Sequence, residues 1–138
     1  MIPNELKKII RRVVPRPRLM LRKICYFPVD TVDRLLGRRD ELTPPRSLQI
    51  IGGECFEEIG QAFFGYFLRL CGLQPSEKVL EVGCGVGRMA VPLTRYLDSG
   101  GSYEGFDVAV DEVRWCQKNI STRYPRFHFH VSDVFNGT

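Results

Sequence analysis

The chain is 138 residues long, 43% hydrophobic and 26% charged, with nine phenylalanines to fill a core, the make-up of one globular domain of ordinary size. It holds no run of about 18 apolar residues, which excludes a membrane-spanning helix, and its basic start, Met1-Ile2-Pro3-Asn4-Glu5-Leu6-Lys7-Lys8, leads into no apolar stretch of the kind a secretory signal needs. The net charge of +4 is uneven: residues 1–46 hold 12 Lys/Arg against 5 Asp/Glu, a balance of +7, and residues 47–138 hold 8 against 11, a balance of −3, which predicts a basic N-terminal extension over 1–46 and a distinct domain over 47–138.

Leu6, Ile9, Ile10, Val13 and Val14 form the apolar stripe of a helix, with Lys7, Lys8, Arg11 and Arg12 on its other face. Asn4 is placed to cap this helix, and Pro15 with Pro17 ends it. A basic amphipathic segment of this size is a candidate for peripheral contact with an anionic membrane through residues 5–14, or for docking on the rest of the protein. Nucleic acid is the least favoured partner, because no aromatic side chains interleave the charges. A second apolar stretch, Leu19 to Phe27, is followed by Pro28 and by a short helix from Asp30 to Leu36 that Gly37 stops. Thr43-Pro44-Pro45 reads as an extended linker, since each proline restricts the residue before it.

Glu54 to Cys71 has the strongest helical pattern. Phe56, Ile59, Phe63, Tyr66 or Phe67, and Leu70 predict one continuous apolar face, Glu54, Glu57 and Glu58 favour its N-terminus, and Gly72 is placed as its C-terminal cap. After it the pattern changes. Lys78–Val82 is a short apolar run ending at glycines, as a buried parallel strand does. A helix is expected over Met89–Leu97, with Pro92 tolerable only near its first turn. A strand over Ser102–Val108, a helix over Asp111–Ile120 capped by Asp111, and a strand over Phe127–Val131 complete the series. Strand, helix, strand, helix, strand at this spacing means right-handed crossovers and a parallel sheet, an α/β fold of the Rossmann-like, doubly wound kind. Trp115 and Phe63 are expected in the core and Tyr124-Pro125 in a loop.

The cysteines at 25, 55, 71, 84 and 116 are scattered and odd in number, which argues against a disulfide framework and for a reducing cytoplasm. His128 and His130, two apart on a strand, face one side and lack the partners a metal site needs, so no metal is expected. Cys84 reads as a small turn residue, with no base near it in sequence.

Val79-Leu80-Glu81-Val82-Gly83-Cys84-Gly85-Val86-Gly87 is the most informative stretch. The chain must turn sharply from strand to helix, and glycine tolerates the positive φ such a turn needs while letting a ligand approach the backbone. The helix that follows is expected to aim free N–H groups at that ligand. The place where a dinucleotide fingerprint wants its last glycine is Arg88, a residue free to steer a ligand carboxylate or to make a surface ion pair. Glu81 lies two residues before the first glycine, where a carboxylate repels a pyrophosphate and attracts an ammonium group. Asp107 ends the second strand, placed to accept hydrogen bonds from ribose hydroxyls. Asp133 ends the third strand on the same rim, although aspartate after a strand is also common turn chemistry.

Val79–Gly87 resembles motif I of the class I S-adenosylmethionine-dependent methyltransferases, including the acidic residue and the Gly-Cys-Gly triplet. Gly105-Phe106-Asp107-Val108 and Val131-Ser132-Asp133-Val134 are similar to the second- and third-strand motifs of that family, in the same order and spacing. The resemblance covers about Gly72 to Thr138. It implies S-adenosylmethionine as cofactor, with Glu81 binding the methionine amino group directly or through water. Gly83, Gly85 and Gly87, with the backbone at Cys84, would line the methionine and ribose portion. Asp107 would take the ribose hydroxyls, Val108 would pack on adenine, and Asp133 with the backbone of Val134 would meet the adenine amino group.

The activity it implies is methyl transfer to an unidentified acceptor, expected to be a small molecule, sugar or lipid. No catalytic residue is assigned, because alignment and desolvation supply much of the rate and a base is needed only where the acceptor must lose a proton. The family's sheet has seven strands and three are expected here, which leaves the flank of the first strand an open apolar edge. Either the protein continues beyond Thr138 or the basic extension covers that flank; continuation is the expectation. The rival readings are an NAD-type oxidoreductase and a non-catalytic module that keeps the fold.

Overall fold

The computed structural model describes residues 17–50 and 55–132. The basic helix expected over Leu6–Val14, with its candidate membrane contact through residues 5–14, lies outside them, as do Asp133 and Val134.

Helix α1 spans Pro17–Leu35 and runs through Pro28, where the sequence suggested a break. A proline inside a helix removes one N–H and crowds the preceding turn, at a cost of about 3 kcal/mol. Here each half is tied down by its own contacts. Before the proline, the Arg22 guanidinium donates to the carbonyls of Arg46 at 2.9 Å and Ser47 at 3.3 Å. After it, Asp30 pairs with Arg39 and Arg46, and Asp33 with Arg46 at 2.6 Å. The polar face therefore turns inward, leaving Met20, Ile24, Phe27 and Leu35 exposed. Gly37, with φ 63°, ends the helical turn as expected. Thr43-Pro44-Pro45 is no free linker. Pro44 is fully buried, and its carbonyl accepts a hydrogen bond from the Gln49 side chain at 2.7 Å.

Helix α2, Phe56–Cys71, ends at Gly72 in the left-handed conformation, and the Gly72 and Leu73 amides both donate to the Phe67 carbonyl. Its packed face is rotated from the expected one. Phe56 and Gly60 are buried and Phe64 half-buried, whereas Phe63, Tyr66 and Leu70 are exposed. Gly60 is the cause. A Cβ there would sit 2.7 Å from the Arg88 carbonyl oxygen and 3.5 Å from Pro92 Cγ, so the missing side chain is what lets α2 approach the segment after β1. The Phe64 ring then meets Tyr96 edge-on at 5.1 Å.

Three strands, β1 Lys78–Val82, β2 Ser102–Asp107 and β3 Phe127–Val131, form a parallel sheet in the order β1-β2-β3. Between β1 and β2 lies helix α3, regular only over Ala90–Leu93. The helix expected to reach Leu97 tightens early, because the Thr94 hydroxyl and amide both donate to the Val91 carbonyl. Pro92 falls within the first turn, the one place it fits. Between β2 and β3 lies α4, Val110–Cys116, continued by a π-helical turn over Gln117–Ser121. Asp111 was expected as its cap, but Ala109 holds that position and Asp111 sits in the first turn. The capping carboxylate comes from the strand before it: Asp107 Oδ1 accepts from the Ala109 N–H at 2.8 Å.

Register sets the two faces of the sheet. Val79, Tyr103 and Phe127 share one row, and Glu81, Gly105 and Phe129 the next, on the covered face. The main core fills that face with Leu93, Val113, Cys116 and Ile120. Leu48, Phe56 and Val86 form a second cluster, and Trp115 packs against both. Leu42 belongs to the first cluster and Leu48 to the second, so side chains on both sides of residue 46 share the core. The opposite face departs from the expected fully buried strand. Leu80 and Val82 are 67% and 73% exposed, and there His130 pairs with Glu104 at 2.8 Å. His128 lies on that same outer face, two residues from His130 as the alternation predicts. Among the described residues no helix is long and apolar enough to cross a membrane.

Candidate functional site

The turn after β1 is built on three positive-φ glycines, Gly83 at 83°, Gly85 at 49° and Gly87 at 72°, values that favour residues without a Cβ. They do different work. A Cβ on Gly83 would meet nothing within 4 Å, so the turn is open to solvent there. On Gly87 it would press to 2.9 Å on Ile120 Cδ1 and 3.1 Å on Cys116 Sγ, so Gly87 seats the turn on the core. Gly87, expected to line the site, thus meets the core on its Cβ side. Gly85 lies between the two, with the Glu112 carboxylate 3.1 Å from where its Cβ would be.

The amides of the turn are spent inside the protein. Gly83 and Cys84 donate to the Phe106 carbonyl at 2.8 and 3.2 Å, Gly87 to Cys84 at 2.9 Å, and Gly85 to Asp107 Oδ2 at 2.8 Å. These four amides therefore offer no free donor to a ligand: strand β2 engages those of Gly83, Cys84 and Gly85, and the turn itself that of Gly87. What the turn presents instead is acidic. Glu81, Asp107 and Glu112 all act on the Cys84 thiol, which burial in the first place, and then these carboxylates, push up to about 12. Cys84 is thus a buried, protonated turn residue, as expected, and its side chain does not reach the open side.

Glu81 is half-buried, and its carboxylate accepts a hydrogen bond from the Tyr103 hydroxyl. Burial raises its pKa, the Tyr103 hydrogen bond opposes this, and the nearby Asp107 charge adds to it. Asp107 is half-buried at the tip of β2, with one oxygen on the Gly85 amide and the other on Ala109. A carboxylate has about four lone-pair sites, so both residues keep acceptor capacity for a ligand. Val108, just beyond, is 63% exposed. Arg88 packs over the Phe56 ring, its guanidinium 5.5 Å from the ring centre, on the side of α2.

The structure thus gathers Glu81, Gly83, Gly85 and Asp107 around one turn and turns Gly87 and the Cys84 side chain inward; Asp133 and Val134 lie outside the described residues. Two residues of the site escaped the sequence reading. Glu112 was legible only as an acidic residue near a helix start. Tyr103 looked like an ordinary strand aromatic.

Comparison with known proteins finds methyltransferases. Residues 79–137 match a family model described as a methyltransferase domain. A Thermoplasma acidophilum protein named a probable cobalt-precorrin-6B C(15)-methyltransferase (decarboxylating) is 28% identical over 65 residues, covering 46% of this chain and 32% of its own length. The chain therefore spans about a third of that curated relative. Among solved structures, a SAM dependent methyltransferase from Aquifex aeolicus superposes with a TM-score of 0.50 at 18% identity, covering 66% of this chain and 48% of its own, a likeness of fold. By their motif turn, their parallel strands and the matched model, residues 79–137 resemble the methyltransferase domain of the class I S-adenosylmethionine-dependent enzymes.

Proposed function

We propose that the protein transfers a methyl group from S-adenosylmethionine to a small-molecule, sugar or lipid acceptor. One observation carries this reading: the glycine turn offers carboxylates, and the amides of Gly83, Cys84, Gly85 and Gly87 are bonded internally. A pyrophosphate on such a turn needs N–H donors and suffers repulsion from Glu81, Asp107 and Glu112. A cationic amino acid joined to a nucleoside suits both features, and the open space at Gly83 gives it room. This weighs against an NAD-type oxidoreductase.

In this reading Glu81 takes the ammonium group, Asp107 the ribose diol, exposed Val108 one face of adenine, and Asp133 with Val134 the adenine amino edge. The bound cofactor supplies a methyl group already activated by the sulfonium charge. The protein's part is to orient it and to keep water from it. A rim of carboxylates disfavours a polyanionic nucleic acid as acceptor. The cytoplasm is the proposed compartment, in keeping with five free cysteines.

Calorimetry with S-adenosylhomocysteine on the full chain tests the reading. Binding that weakens at least about tenfold in Asp107→Ala supports it. A folded protein that binds no S-adenosylhomocysteine, or that binds NADH more tightly, overturns it.

A further inference from the structure

Tyr103 begins an unusual path across the sheet. Its ring is fully buried on the covered face, stacked on Phe127 at 5.3 Å and 15°, and tilted against Phe129 at 5.3 Å. In register it stands opposite Val79, so Glu81 is its diagonal neighbour, two residues further along β1. An aromatic side chain reaches that diagonal only if nothing stands between. The residue directly beside Glu81 is Gly105. A Cβ on Gly105 would lie 2.9 Å from both Cε1 and the hydroxyl oxygen of Tyr103, and 2.9 Å from Cys84 Cβ. The tyrosine thus lies over the place where a side chain at 105 would be, and its hydroxyl donates to Glu81 Oε2.

A buried tyrosine hydroxyl needs an acceptor, and a buried Leu or Phe would fill the same space without one. A half-buried glutamate beside the Asp107 carboxylate is costly to keep ionised. The pair makes sense where the direction of the carboxylate matters. We propose that Tyr103 is a positioning residue: through the gap left by Gly105 it holds one Glu81 oxygen, so that the other faces the amino group of the cofactor and sets selectivity for ligands that carry the amino-acid tail. This inference rests on the reading of Glu81 in the proposed function, and it assigns the cause of that selectivity to a residue that touches no ligand.

The test compares two ligands on the full chain, S-adenosylhomocysteine, which carries the amino acid, and 5′-methylthioadenosine, which lacks it. In Tyr103→Phe, affinity for the first falls about tenfold, while affinity for the second stays within about twofold. The Glu81→Gln variant removes the same selectivity, and adding Tyr103→Phe to it changes nothing more, the mark of two residues acting through one contact. The pH profile gives an independent readout. Loss of a hydrogen bond to the ionised carboxylate moves the rising limb of S-adenosylhomocysteine binding to higher pH in Tyr103→Phe.

Equal losses for both ligands, or none for either, overturn the positioning role. Wild-type protein that binds neither ligand overturns the proposed function itself, and the two failures are thereby distinct. If Tyr103→Phe does not fold, 3-fluorotyrosine at position 103 keeps ring and hydroxyl and strengthens the donor; the limb then moves to lower pH, and an unmoved limb overturns the inference.

Discussion

Asp107 Oδ2 accepts a hydrogen bond from the Gly85 N–H at 2.8 Å, so the tip of β2 holds the turn that leaves β1. Its other oxygen holds the start of α4 through Ala109, also at 2.8 Å. One carboxylate therefore sets the spacing between the two segments that flank the open side of the site. In Asp107→Asn, the amide nitrogen must face one of these two backbone donors, leaving a part-buried N–H without an acceptor. Such a group costs about 1–3 kcal/mol. Thermal unfolding should show that loss of stability, with a weaker S-adenosylhomocysteine titration beside it. Equal melting temperatures for Asn and Asp at 107 would contradict this account of the turn.

Gly83 and Gly87 share a backbone conformation but not a neighbourhood, and alanine at each should fail differently. Both substitutions force a Cβ into the left-handed region, which costs about 1–2 kcal/mol. At Gly87 the new methyl also drives into Ile120 and Cys116 at 2.9 and 3.1 Å, adding an overpacking cost of about 1–3 kcal/mol. At Gly83 it meets nothing within 4 Å and projects into the open side. Gly87→Ala is therefore expected to lower the melting temperature more, and Gly83→Ala to lose relatively more ligand affinity than stability. Calorimetry paired with thermal melts separates the two; the reverse order would place the ligand on the wrong side of the turn.

The strands were legible because Val79, Leu80 and Val82 are β-formers that run into glycines, and because Tyr103, Phe127 and Phe129 alternate with polar residues. The glycine turn was legible for the same reason that makes it work, since few residues other than glycine tolerate its φ values. Less could be read where a partner distant in sequence decides the outcome. The rotated face of α2 depends on Gly60 meeting the Arg88 carbonyl, and hydrophobic periodicity does not count an absent side chain as a contact. The continuity of α1 through Pro28 depends on charges supplied by Arg39 and Arg46, beyond the helix. The internal use of the Gly83 and Cys84 amides depends on the Phe106 carbonyl of a neighbouring strand. Tyr103 as partner of Glu81 follows only from parallel register plus the gap at Gly105.

The inward charges of α1 yield a prediction about attachment. Asp30 accepts from Arg39, from the Arg46 side chain at 3.2 Å and from the Arg46 amide at 3.1 Å, and its side chain is only 17% exposed. Asp30→Ala leaves two guanidinium groups, 12% and 27% exposed, short of their acceptor. Fully buried pairs lose about 3–5 kcal/mol on such a change; partial exposure of Arg46, and its second partner Asp33, reduce that to about 1–3 kcal/mol. The loss should fall on α1 first, because its apolar residues are exposed and add little hold. Hydrogen exchange is expected to rise across residues 17–35 while β1–β3 stay protected. Uniform deprotection of the sheet would show that α1 is part of the central cooperative unit instead.

Protonation of Glu81 should pull stability and ligand binding in opposite directions. Its pKa is raised above the ordinary 4.5, by burial first and by Asp107 next, against the Tyr103 hydrogen bond. A carboxyl group with a raised folded-state pKa favours the fold when protonated. Its contribution to stability is therefore fully present below about 4.5 and is lost as pH rises through the higher folded value. An ammonium ligand needs the ionised form, so affinity for S-adenosylhomocysteine climbs over that same window. Glu81→Gln stays neutral at every pH and removes both trends. The melting temperature of the Gln variant should thus gain on wild type as pH increases from about 4 to about 7, while its ligand affinity stays flat. Comparing the two proteins at each pH cancels the other titrating groups that they share. A wild-type affinity that does not rise across this range would show that the charge on Glu81 takes no part in holding the ligand.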